Sequence, residues 1–125
     1  MPLAYWCVLI AALMPLALAA YAKAGSGDDN HHPRDTVARL SGAKRRAYAA
    51  HQNAFESFPF FAVAVLTATT LGASVSAVNI LAALFIVLRG VHAVLYINDA
   101  AFARSAVFTA GLLVNIAIFV LPAFT

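Results

Sequence analysis

The chain has 125 residues, of which 63% are hydrophobic and only 10% are charged, with a formal net charge of +3. Soluble proteins carry about 25% charged residues, and a fold this small cannot hide so much apolar surface from water. The composition excludes a soluble domain and predicts an integral membrane protein, while the single cysteine, Cys7, excludes a disulfide framework.

The pattern of apolar segments predicts an all-α membrane protein that forms one four-helix bundle. At about 20 residues for each transmembrane helix, the length allows at most four spans and one modest loop. The predicted spans are residues 3–22, 44–71, 75–97 and 100–121. The hydrophilic loop is residues 23–43.

The first apolar segment, residues 3–22, allows a second interpretation as a cleavable signal peptide, because it ends in small residues. Signal peptides carry basic residues before an apolar stretch of about 7–15 residues. Residues 1–6 contain no Lys or Arg, and the apolar segment is longer than that. We therefore expect a retained helix, kinked near Pro15.

The loop at residues 23–43 has the Gly, Ser, Asp and Asn content typical of irregular structure. Its His31 and His32 follow Asp28 and Asp29, so metal binding is one interpretation. Two histidines without a fixed scaffold make a weak site, and we predict a solvated loop and no metal.

Basic residues are concentrated in and beside this loop, and they are Lys23, Arg34, Arg39, Lys44, Arg45 and Arg46. Positively charged loops of membrane proteins stay in the cytoplasm. We therefore predict that the loop and the turn at residues 98–99 are cytoplasmic and that both termini lie on the opposite side, across the inner (cell) membrane if the source is bacterial. Topology accounts for the basic charge, and no nucleic-acid partner is predicted.

Ionisable side chains interrupt three of the predicted spans. Such groups are costly in a bilayer and normally face the interior of a bundle in pairs. At about 1.5 Å per residue, Glu56 and Arg89 both lie roughly 15 Å from the cytoplasmic ends of their helices. We predict that they form an ion pair, in a structural polar network that also includes Arg46.

A second group of polar residues is expected closer to the cytoplasm, with Asn53 and His92 about 10 Å deep. Spacings of three and seven residues place Arg89, His92 and Tyr96 on one helical face. A common space open to the cytoplasm follows, and the alternative is a network that only joins helices. In contrast, Asn115 is expected to lie too far from this space and to bond across helices.

The chemistry of these residues indicates what such a space would bind. The guanidinium of Arg104 suits a carboxylate, and Glu56 suits an amine. Asn53 and His92 suit amides, while Ser105 and Tyr96 offer hydroxyl groups. We predict a small zwitterionic, peptide-like ligand, with a lipophilic co-substrate entering from the bilayer.

Three short motifs resemble those of the MAPEG superfamily (membrane-associated proteins in eicosanoid and glutathione metabolism), and in particular its microsomal prostaglandin E synthases and glutathione S-transferases. Residues 51–60, His-Gln-Asn-Ala-Phe-Glu-Ser-Phe-Pro-Phe, resemble the family's Asn-x-x-Glu followed by Pro-Phe. Residues 89–96 resemble its Arg-x-x-His-x-x-x-Tyr, and Arg104 and Ser105 resemble its Arg-Ser pair. Gln52 stands where the family has Arg, and Phe108 where Tyr is frequent.

The resemblance implies a homotrimer in the lipid bilayer that holds glutathione between neighbouring subunits and needs no metal. The residues that it implies for glutathione contact are Asn53, Glu56, His92, Tyr96, Arg104 and Ser105. Arg104 would stabilise the thiolate, Ser105 would be an alternative thiol donor, and Arg89 would structure the site beside Glu56. Arg39, Arg45 or Arg46 would replace the Arg missing at position 52.

Two functions follow from these observations. The first is a glutathione transferase or peroxidase that uses the thiolate on a lipophilic electrophile or hydroperoxide. The second is a non-catalytic small subunit of the same fold within a larger membrane complex. Glutathione binding would separate the two.

Overall fold

The computed structural model describes residues 1–24 and 31–124, and within these the chain is all-helical. Its helices are α1 (Leu3–Lys23), α2 (Pro33–Ala38), α3 (Gly42–Thr70), α4 (Val75–Ile97) and α5 (Ala101–Val120), followed by a 3₁₀ turn at Leu121–Ala123. Each end of α1, α3, α4 and α5 lies within two residues of the corresponding predicted span. The predicted all-α fold class is confirmed.

Helix α2 lies within the segment predicted as loop. Pro33 occupies the first helical position, where its missing N–H costs nothing, and Asp35 in the first turn interacts favourably with the helix dipole. His31 and His32 are exposed beside it. Residues 25–30, including Asp28 and Asp29, lie outside the described residues.

The bundle core is built from small residues with a few aromatic rings. Alanines at positions 4 and 11 of α1 and at positions 64 and 68 of α3 are almost completely buried. Helices in a bilayer associate through such close packing, because lipid supplies no hydrophobic driving force between them. Phe61 of α3 stacks on Phe85 of α4, with ring centroids 4.2 Å apart.

The outer surface of the bundle is apolar. Three segments are long and apolar enough to cross a membrane, and they are Leu3–Lys23, Val75–Ile97 and Ala101–Ala123. Helix α3 is less apolar because its first half carries His51, Gln52, Asn53 and Glu56. The exposed leucines and valines of the other helices match a hydrocarbon environment, so the chain is an integral membrane protein.

Pro15 lies inside α1, which continues to Lys23. Its carbonyl oxygen lies 2.7 Å from Nδ1 of His51 on α3, which places the ring proton on Nδ1 for a hydrogen bond. His51 therefore joins two helices at the point where proline removes a backbone donor.

Helices α3 and α4 both end in the same backbone motif. Gly72 and Asp99 have left-handed φ values of 81° and 61°, and the N–H of the next residue bonds to a carbonyl five positions back. This Schellman motif pairs carbonyls that a helix end leaves unsatisfied. Only short connections therefore separate α3, α4 and α5.

Arg46 has a different role from the predicted one. Its Nε donates a 2.8 Å hydrogen bond to the carbonyl of Ile97, the last residue of α4. A cation at the C-terminus of a helix donates to a backbone carbonyl that has no partner within the helix, and it interacts favourably with the negative end of the helix dipole. It therefore joins α3 to the end of α4, and it does not line the cleft that Glu56 and Arg89 share.

Replacing Arg46 with Met would keep the apolar stem and remove the donor. We expect the free energy of unfolding to fall by about 1–2 kcal/mol, since the Ile97 carbonyl loses a charged partner. Thermal unfolding in a single detergent measures the change. The control Arg34→Met removes an exposed cation of α2, and equal unfolding temperatures for the two variants would contradict the assignment.

Candidate functional site

The predicted site residues line a groove formed by α3, α4 and α5, which contains two adjoining hollows. The outer pocket, about 290 Å³ in volume, is lined by Asn53, His92, Tyr96, Arg104, Ser105, Phe108 and Thr109. The inner cleft, about 170 Å³ in volume, is lined by Asn53, Glu56, Ser57, Phe60, Phe85, Arg89, Phe108, Gly111, Leu112 and Asn115. Asn53 and Phe108 line both, so the two hollows are neighbours.

Five of the six residues predicted to contact a ligand lie together in the outer pocket. Tyr96 and Arg104 face each other across the turn between α4 and α5, with the guanidinium carbon 4.3 Å from the ring centroid. Such a cation–π contact orients the cation without neutralising it. Among the described residues Arg104 has no carboxylate partner, so it remains available to an anion.

His92 forms a buried part of this wall. It is 2% exposed, and its Nδ1 has no hydrogen-bond partner among the described residues. The imidazole lies beside the rings of Tyr96 and Phe108, at centroid distances of 5.7 and 6.1 Å. A buried ring nitrogen without a partner costs free energy, and a polar ligand in the outer pocket would satisfy it.

The predicted ion pair between Glu56 and Arg89 is absent. Arg89, 5% exposed, instead donates from Nη2 to Oδ1 of Asn53 at 2.7 Å. The spacing in the sequence predicts the depth of each backbone position, and by that measure Arg89 lies level with Glu56. Because the Arg side chain is long, its guanidinium reaches position 53 of α3, about one turn from position 56. Glu56 is exposed at the edge of the inner cleft and makes no ion pair within the described part of the chain.

Asn115 lies in the groove rather than outside it. It is 3% exposed, it lines the inner cleft, and its Oδ1 has no hydrogen-bond partner among the described residues. The expected bond across helices is therefore not formed with any residue of 1–24 or 31–124. A signal was available in the sequence, since Arg104, Phe108, Gly111 and Asn115 follow at i, i+4, i+7 and i+11 and share one face of α5.

The cations proposed to replace the missing Arg at position 52 lie elsewhere. Arg45 donates to the carbonyl of Val37 and Arg46 to that of Ile97, while Arg39 lines a separate hollow beside α1. Gln52 lies in another surface hollow together with Arg34. Arg104 and Arg89 are therefore the guanidinium groups that line the groove.

Comparison with known proteins gives one match. The model of the MAPEG family matches residues 3–124, which is nearly the whole chain. Neither a curated protein nor a solved structure matches the chain.

Substitutions at positions 53 and 56 distinguish the observed partner of Arg89 from the predicted one. Asn53→Leu leaves a buried guanidinium unpaired, and we expect the free energy of unfolding to fall by about 3 kcal/mol. Glu56→Gln changes an exposed group and is expected to cost less than about 0.5 kcal/mol. Thermal unfolding of the purified variants measures both effects.

The double variant Asn53→Leu/Arg89→Met is the matched control, because it replaces both partners with apolar groups. It is expected to recover most of the stability lost in Asn53→Leu. A larger loss in Glu56→Gln than in Asn53→Leu would show that the acid, and not the amide, holds Arg89.

Proposed function

The chain belongs to the MAPEG family, and from that membership we propose that it binds glutathione in the outer pocket and uses the thiolate on a lipophilic electrophile or hydroperoxide. The observation that carries the proposal is the half-buried guanidinium of Arg104, which lacks an anionic partner in a polar pocket beside the buried, unpaired nitrogen of His92. Both groups favour a ligand that brings an anion and further hydrogen-bonding atoms.

The charge of the groove suits glutathione, which has two carboxylates and one ammonium group. Two guanidinium groups, those of Arg89 and Arg104, line the groove, and neither has a carboxylate partner among the described residues. Glu56, one turn from Asn53 on α3, is the acid placed to meet the ammonium group. Hydroxyl groups of Tyr96 and Ser105 complete the polar wall for the peptide bonds of the ligand.

Arg104 would activate the thiol electrostatically. A thiol with a pKa of about 8.5 is mostly protonated at neutral pH, and a nearby guanidinium stabilises the thiolate. The proton would leave to water at the mouth of the pocket. With an electrophile, the thiolate sulfur would bond to the carbon while the leaving group departs with the electron pair of its own bond. With a hydroperoxide, the sulfur would attack the terminal oxygen while the O–O bond breaks, the alkoxide would take up a proton to give the alcohol, and a second glutathione would convert the sulfenic acid to the disulfide and water. Ser105, next in sequence, is the alternative donor to the sulfur.

A neighbouring copy of the chain would complete the site. Ser105 and Thr109 are exposed on one face of α5, so one side of the outer pocket is open. A thiolate gains most from a fixed cation when water is excluded, and a second subunit against this side would exclude it. We therefore propose that the protein works as the homotrimer implied by its sequence motifs.

Arg104→Met tests the role of the guanidinium. We expect the thiolate fraction of bound glutathione at pH 7 to fall about tenfold, which corresponds to a rise of about one unit in the pKa of the thiol. We expect the affinity for glutathione to fall less, because other groups hold the peptide. Calorimetric titration of detergent-purified protein measures affinity, and the ultraviolet absorbance of the thiolate measures ionisation.

Two further variants make this test specific. Glu56→Gln is expected to weaken binding through the ammonium group without changing ionisation of the thiol, and Arg34→Met, on α2, should change neither. Unchanged thiolate absorbance and turnover in Arg104→Met would refute the proposed role. Absence of glutathione binding by the wild type, with stable co-purification of a larger membrane assembly, would favour a non-catalytic subunit.

We also propose that the mouth of the outer pocket faces the cytoplasm, because the basic residues flank the same end of the bundle. Single cysteines test this in a Cys7→Ala background, at Arg34→Cys in α2 and at Ser76→Cys in the exposed first turn of α4. In intact cells, a membrane-impermeant maleimide should label S76C, and it should label R34C only after permeabilisation. The reverse labelling pattern would overturn the topology.

A further inference from the structure

The inner cleft differs in character from the outer pocket. Its walls are mainly aromatic and aliphatic, formed by Phe60, Phe85, Phe108 and Leu112. Gly111 lines one side, where a Cβ would make an ordinary contact with the Phe85 ring at 3.7 Å. The cleft therefore has the lining of a site for an apolar molecule.

One polar group in this cleft is buried without a hydrogen-bond partner in the described part of the chain. Asn115 is 3% exposed, and its side-chain carbonyl makes no hydrogen bond among the described residues. Its position on α5 lies within a segment long and apolar enough to cross a membrane, so lipid around the bundle offers this amide no hydrogen bond. Burying an amide without a partner costs about 1–3 kcal/mol, so an amide that serves only to join helices would have a partner here.

The size of the cleft limits its occupant. Its volume of about 170 Å³ is close to that of an engineered apolar cavity, about 150 Å³, that binds benzene. One aromatic ring or a short branched chain fits this space. Because a hydroxyl group both donates and accepts, it would satisfy the amide of Asn115 in either orientation.

We propose that the inner cleft binds a small apolar molecule that carries a hydroxyl or hydroperoxyl group, and that the amide of Asn115 hydrogen-bonds to that group. As the site of the lipophilic co-substrate, it rests on the proposed glutathione chemistry. Its assignment as a binding site does not depend on that chemistry, because it follows from the cleft and the unpaired amide oxygen alone.

The surroundings of the cleft give the ligand a route and a place beside the thiol. Phe60, Phe108 and Leu112 are 37%, 38% and 40% exposed, so the cleft opens sideways between α3 and α5. An apolar molecule can enter from the bilayer without crossing the polar outer pocket. Phe108 belongs to both hollows, so the ligand and the glutathione would lie on opposite sides of one ring.

A matched pair of ligands tests the hydrogen bond. The alcohol 2-phenyl-2-propanol and the hydrocarbon isopropylbenzene differ by one hydroxyl group on the same carbon. Equilibrium dialysis of purified protein without glutathione, corrected for uptake by empty micelles, gives both affinities. We expect the wild type to bind the alcohol about five- to tenfold more tightly, as one buried hydrogen bond provides.

Variants at two positions locate the binding. Asn115→Leu is similar in size and should remove the preference for the alcohol while it keeps the affinity for the hydrocarbon. Gly111→Leu should weaken both ligands by filling the cleft. Gly90→Leu is the matched control and should change neither affinity, because Gly90 on α4 does not line the cleft and a Cβ there would meet nothing within 4 Å. Thermal unfolding checks each variant, and Asn115→Leu should be at least as stable as the wild type.

Several outcomes would overturn the inference. Equal affinities of the wild type for the two ligands, binding of neither ligand, or a preference that persists in Asn115→Leu would each do so. Glutathione binding that is intact while the alcohol preference is absent would refute this inference alone. An intact alcohol preference without glutathione binding would refute only the proposed function.

Discussion

The arrangement of the groove depends on the cost of burying the guanidinium of Arg89 inside a membrane-spanning bundle. Its partner is the neutral amide of Asn53, at 2.7 Å, so the positive charge is held in place without being cancelled. This hydrogen bond fixes α4 against α3 and sets the boundary between the two hollows, because Asn53 lines both. It also leaves Glu56 exposed, and the groove remains positively charged.

The sequence predicted the long helices well, because apolar length and the absence of charge are enough to define a membrane span. It also brought five site residues into one pocket, since helical spacing and depth depend only on backbone geometry. It did not predict the contacts that depend on the length of a side chain or on local packing. Asn53 rather than Glu56 pairs with Arg89. Asn115 lines the groove because it lies on the face of α5 that also carries Phe108 and Gly111, and depth in the membrane does not show which face of a helix a residue occupies.

The groove combines two environments within one set of three helices. Near the mouth, tyrosine, histidine and arginine side chains provide polar groups, and further in, phenylalanine rings provide apolar walls. Phe108 lies between them and lines both hollows. Its ring has no hydroxyl group, so Tyr96, Ser105 and Thr109 are the residues that bring hydroxyl groups to the outer pocket.

The turn between α4 and α5 sets the position of Arg104 relative to Tyr96. Asp99 takes a left-handed conformation with φ 61°, and so few residues separate the helices that Tyr96 and Arg104 meet face to face. One extra residue in the first turn of α5, before Arg104, would rotate Arg104 by about 100° around the helix axis and carry the cation away from the ring. The lining of the groove is therefore more easily changed by replacing side chains on α3, α4 and α5 than by changing the number of residues between Tyr96 and Arg104.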